Sequence, residues 1–223
     1  MRTSAKLGLT ALVAAFLLAS AVSTASARNL SVSEQSFRVS WASLEFNALA
    51  VVRCRVTLEG SVHSRTIPKV ARLLIGAVSR VIVSRPCTNG EAWADNGTEV
   101  EPLGTSPNRL PFHLTYESFE GRLPVITSLG LLLSRVSFVI RASALGLTAQ
   151  CRFGNATDNI SGTAALEGGG GITSIRPVER RNIGSLVDDL GPNRVCPATG
   201  RFGGTSGAVR GLTNTNTVTV RLI

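Results

Sequence analysis

Lysine is nearly missing from this chain: Lys6 and Lys69 are the only two, although Lys and Arg together number 23. The cations are therefore almost all guanidinium groups, always charged and shaped to pair two-pronged with carboxylate or phosphate. Their spread argues against a nucleic-acid surface. Arg53, Arg55, Arg65, Arg80, Arg122, Arg135 and Arg210 stand singly among apolar residues, and only RPVERR at 176–181 forms a local cluster. Aromatic residues make up 5% and are not interleaved with Arg, so stacking platforms for bases are few. No nucleic-acid partner is expected, and the Arg usage reads as compositional.

Histidine is equally sparse, at His63 and His113. Either could serve a Ser nucleophile, yet there is no G-x-S-x-G elbow: GGTSGA around Ser206 has no second Gly in register. His113, in LPFHLTYE, reads as a half-exposed strand residue. Of the carboxylates, Glu117 and Glu120 would point to opposite sides of a strand, and nothing brings Glu59 to Glu117. No catalytic residue is assigned. No C-x-x-C pair occurs, which removes local support for zinc or thioredoxin-type chemistry. EGGGG at 167–171 has no Lys-Ser/Thr after it and reads as a flexible loop rather than a phosphate cradle. No cofactor is expected.

The most individual stretch is TNGEAWADNGTEVE at 88–101, where Glu91, Asp95, Glu99 and Glu101 gather without a cation. Hard oxygen ligands at such spacing suit calcium, but the pattern of the calcium-binding helix–loop–helix loop is not there, and no metal is assigned. An exposed loop with turns at Asn89-Gly90 and Asn96-Gly97 is expected, with Trp93 at its tip folded back on the core.

What is present begins with a processing segment. Arg2 and Lys6 precede the apolar run Leu7 to Val22, and Ala25-Ser26-Ala27 supplies a small-x-small cleavage site. Residues 1–27 read as a signal peptide and 28–223 as a single secreted or cell-surface domain. Losing Arg2 and Lys6 takes the formal net charge from +9 to +7. All four cysteines, Cys54, Cys87, Cys151 and Cys196, follow the cleavage site, and an even number in an exported chain reads as disulfides. Three connectivities are open. Sequential pairing is favoured because it staples each half, at about 4 kcal/mol per loop in the chain-entropy model.

LPVITSLGLLLSRVSFVI, from Leu123 to Ile140, is the most apolar part outside the leader. Arg135 inside it argues against a membrane span, and no transmembrane segment is expected once the leader is removed. Its β-branched content and the alternation from Leu133, with Val136, Phe138 and Ile140 inward, predict one long strand or two with a bulge near Gly130. Similar alternation marks 41–46, 50–60, 77–84, 111–121, 145–153 and the C-terminal NTVTVRLI, with Gly- and Asn-rich turns between. The expected fold class is all-β: a two-sheet β-sandwich, Ig-like or related, stapled by two disulfides. A short helix near 68–75 is allowed, because Val70, Leu73, Leu74, Ala77 and Val78 fall at helical spacing behind Pro68. A faint repeat aligns Val56–Val83 with Leu114–Ile140.

At CRVTLEGSVHSRTIPKVARLLIG, LPFHLTYESFEGRLPVITSLGLLL and GRFGGTSGAV…VTVRLI, the chain resembles a set of small exported bacterial proteins of unassigned function. The resemblance implies export and a β-rich domain and carries no site residues. A looser likeness, in architecture only, is to the two-disulfide Ig-like apoproteins of secreted chromoproteins. The expected function is a non-enzymatic extracellular or cell-surface module, binding or structural, for an unknown ligand or surface component. A small secreted hydrolase using His113 or His63, and a carrier of an apolar small molecule, are the alternatives. A hydrolase requires a His within reach of Ser, Asp or Glu, and a carrier an enclosed apolar cavity of several hundred Å³.

Overall fold

Alternating segments become strands because neighbouring residues on a pleated backbone face opposite ways. A computed structural model describes residues 29–48, 50–94, 110–121, 125–144, 146–154, 159–178, 180–189 and 196–223. In chain order the strands are β1 (Asn29–Val32), β2 (Ser36–Asn47), β3 (Val51–Val62), β4 (Thr66–Pro68), β5 (Leu74–Thr88), β6 (Gly90–Ala94), β7 (Phe112–Glu120) and β8 (Ser128–Ser134). They continue with β9 (Phe138–Ala144), β10 (Leu147–Phe153), β11 (Asn159–Glu167), β12 (Gly171–Pro177), β13 (Arg180–Asp189), β14 (Thr199–Gly204), β15 (Gly207–Gly211) and β16 (Val220–Leu222). The described residues contain no helix, and so none long and apolar enough to cross a membrane.

The expected sandwich is corrected to a barrel. Eight antiparallel strands run in the order β15-β12-β11-β8-β7-β5-β3-β2, and pairing of β15 with β2 closes the ring. The joint is a bulge in β2 between Trp41 and Leu44. Before it, Phe37–Ser40 pair with β15; after it, Leu44–Asn47 pair with β14. One strand thus belongs to the barrel wall and also begins a second run, β14-β13-β10-β9-β6. Glycine permits the tight curvature: a Cβ on Gly60 would stand 2.9 Å from Phe37 Cζ and press on the β5 backbone. Its strand and β5 change register at that point. A period-two pattern is the same for sandwich and barrel; bulges and close-packed glycines decide between them.

Inward positions are apolar, such as Val39, Val56, Val78, Leu114, Leu129 and Val209. Outward ones include Arg38, Thr57, Glu59 and Arg80. That is the reverse of the polar-in, apolar-out pattern of a membrane-spanning barrel. One end of the barrel is stoppered by the small sheet β16-β1-β4, which supplies Leu30, Val32, Ile67 and Val220. The glycine run at 168–171 serves this stopper rather than forming a loose loop. Gly170, at φ 82°, lets the backbone approach β16 closely, and its carbonyl accepts from Val220 N at 2.7 Å. The other end is filled by Phe46, Phe112, Phe138 and Phe202, with ring centroids 5.2–6.0 Å apart.

Disulfides join Cys54 to Cys87 and Cys151 to Cys196. The first ties β3 to the end of β5, the second ties β10 to the segment before β14.

Two local expectations change. The helix allowed at 68–75 is a turn between β4 and β5: Arg72 N donates to Tyr116 O at 2.7 Å, and Tyr116 N to Leu73 O at 3.1 Å. Val70, Leu73 and Leu74 are exposed, so their helical spacing has no core to face, and so short a helix is not stable without one. The apolar stretch around Leu123–Ile140 divides at Arg135, which has φ 61°, not at Gly130. Its halves, β8 and β9, lie in the barrel and in the second run, and Val136, Phe138 and Ile140 are buried. The faint repeat falls on the pairs β3–β5 and β7–β8, but in different registers: Leu58 faces Val81, whereas Tyr116 faces Leu131.

Candidate functional site

The barrel does not fill its own interior. Between the stopper and the aromatic cluster lies a cavity of about 130 Å³, walled almost wholly by aliphatic and aromatic carbon. Val32, Ile67 and Val220 bound it from the stopper, and Trp41, Leu44, Phe138 and Phe202 from the opposite end. Val39, Leu58, Leu131, Leu133, Ile175 and Val209 form the wall. These side chains are inward on their strands, and Gly162, also inward, adds no bulk.

Polar groups at the cavity are few. Glu34 reaches its rim, but its Oε2 accepts from Asn214 Nδ2 at 3.0 Å, turned to the adjoining loop. Trp41 Nε1 is buried with no hydrogen-bond partner among the described residues, and the indole lies against Gly207, where a Cβ would stand 2.6 Å from Cε2. Ser161 also lines the cavity, whereas Tyr116, buried on β7, lies outside the lining; loss of water around its phenol raises its pKa. A volume of this size in a carbon-lined wall is close to that of an engineered cavity of about 150 Å³ that stays dry and binds benzene. It has room for one small apolar molecule.

The residues singled out in the sequence lie elsewhere. His63 is exposed, and its backbone N donates to Ile75 O at 2.8 Å. His113 is half-buried, and Arg135 Nη1 donates to its Nε2 at 3.3 Å, since a guanidinium cannot accept. Among the described residues neither imidazole is joined to a Ser, Asp or Glu side chain. Glu59 is buried on the outer wall, bonded by Arg38 at 2.6 Å and Arg80 at 3.3 Å. Hydrogen bonding from Arg38 chiefly, then the charges of Arg38 and Arg80, hold its carboxyl below the ordinary range against the opposing effect of burial. Glu117 is exposed on β7, two strands away.

Asp95, Glu99 and Glu101 fall outside the described residues; Glu91 lies on β6 beside Arg85 at 3.6 Å and Arg141 at 3.3 Å. Trp93 is not at a loop tip but in β6, opposite Val139 and under the Arg141 guanidinium at 5.6 Å. Among the described residues no group of three His, Cys, Asp or Glu converges as a metal would need. The cavity itself left no mark in the sequence, because inward aliphatic residues read alike whether they meet or leave space. Comparison with protein-family models, with curated proteins and with solved structures finds no match for this chain.

Proposed function

We propose that the chain works outside the cell or at its surface as a non-enzymatic binding module, and that the barrel holds one small apolar molecule. The observation that carries this reading is the carbon-lined cavity of about 130 Å³. Two disulfides suit an oxidising compartment. The cavity falls short of the several hundred Å³ expected of a carrier and of the roughly 300–1,000 Å³ of sites for drug-sized ligands, so the ligand class is a single ring or a short aliphatic chain. Affinity would come from apolar area removed from water, at about 25 cal/mol per Å².

The test uses the oxidised chain from residue 28 onward, titrated with benzene and with toluene. A saturable rise in Tm, with methyl NMR shifts at Leu131, Leu133 and Val209, is expected. Leu131→Phe, which fills part of the space, should lose that response while remaining folded. A flat Tm up to aqueous saturation, with no cavity methyl moving, would sink the reading.

A further inference from the structure

The arginines that stand singly in the sequence are brought together by the barrel. Register places Arg210 of β15, Arg38 of β2, Glu59 of β3 and Arg80 of β5 in one outward row. Adjacent positions in such a row are about 4.8 Å apart. The next outward row is Ala208, Ser40, Thr57 and Ile82, with Ser40 Oγ and Thr57 Oγ1 at 3.1 Å. Beyond it stand Arg55, opposite Ser84, and Arg176, two residues from the Ser174 that pairs with Ala208. Successive outward rows lie about 7 Å apart. The result is a shallow trough crossing the strands, floored by Ala208, Ser40, Thr57 and Ile82, with guanidinium groups on both sides.

The charges do not cancel. Among the described residues Glu59 is the one carboxylate within the trough, and it is already held by Arg38 and Arg80, whose side chains remain 45% and 67% exposed. Arg55, Arg176 and Arg210 are exposed and have no acidic partner among the described residues. Arg210 also sits directly opposite Arg38, and like charges facing each other across a ladder are destabilising. The neighbouring pair Arg53–Glu45, at 2.6 Å, is neutral as a unit.

We infer that this face binds a linear acidic polysaccharide, with uronate carboxylates on the guanidinium rows and sugar hydroxyls on the Ser40–Thr57 floor. Guanidinium suits carboxylate geometry. A nucleic acid fits less well, because the floor offers no aromatic ring for a base to stack on. The inference stands independently of the cavity.

The test measures binding of an oligomeric polyuronate to the oxidised chain from residue 28 onward, at low and at physiological salt. Neutral dextran and single-stranded DNA of matched charge are the comparison ligands. Binding of the polyuronate that weakens with salt, and none of dextran, is expected. Arg55→Gln with Arg210→Gln should weaken it on the order of a hundredfold, about tenfold for each charge-assisted contact removed. Neither substitution strands Glu59, so Tm should hold. Arg65→Gln with Arg221→Gln removes the same charge from the stopper and should leave binding nearly unchanged. Equal loss in both double variants, no loss in the first, equal binding of dextran, or tighter binding of DNA than of polyuronate would each overturn the inference.

Discussion

At the scale of single residues, Glu59 is the group whose ionisation the fold most clearly uses. Its carboxyl titrates below its ordinary value in the folded chain because Arg38 and Arg80 bind the charged form. Its contribution is therefore complete above the unfolded pKa of about 4.3 and lost as pH falls through the folded value. Urea unfolding across the acid range should show the natural chain losing stability below about pH 4.3 more steeply than Glu59→Gln. Parallel slopes would show that the pair has no such role. Gly207 is a second residue whose identity the fold constrains. A methyl there would meet the Trp41 indole at 2.6–2.8 Å, and Gly207→Ala should cost about 1–3 kcal/mol by overpacking, read as a lower urea midpoint at unchanged m-value.

At the scale of elements, strand content was legible and closure was not. Alternation in NTVTVRLI and in residues 50–60 gives strands with the right inward set, Val52, Cys54 and Val56 being buried. It says nothing of which strand meets which, because the pairing of β15 with β2 joins residues about 170 positions apart. The helical spacing at 70–78 misled because periodicity predicts a face only where a core exists to receive it. The arginine trough was illegible for the same reason as the barrel: Arg38, Arg55, Arg80, Arg176 and Arg210 become neighbours only through register. Ala208 lies between β12 and β2 in the closing strand. Ala208→Pro removes a ladder bond there and should cost at least about 2 kcal/mol. The same variant should lose the benzene-dependent Tm rise, because a parted wall no longer brings the lining of the cavity together.

At the scale of the whole molecule, the two disulfides staple different layers, Cys54–Cys87 the barrel and Cys151–Cys196 the second run. Each closes a loop of tens of residues, with sequence separations of 33 and 45. Removing either by paired Cys→Ser substitution should therefore lower stability by roughly 2–5 kcal/mol, measured by urea unfolding against the oxidised natural chain. The double-duty strand β2 sets what happens next. Because its first half is a stave of the barrel and its second half begins the second run, neither can part from the other without breaking the pairing of β2 itself. Amide protons of Val39 and Phe46 should then exchange with deuterium at one common, slowest rate, as a single foldon, and a chain pulled from its ends should rupture in one step rather than two.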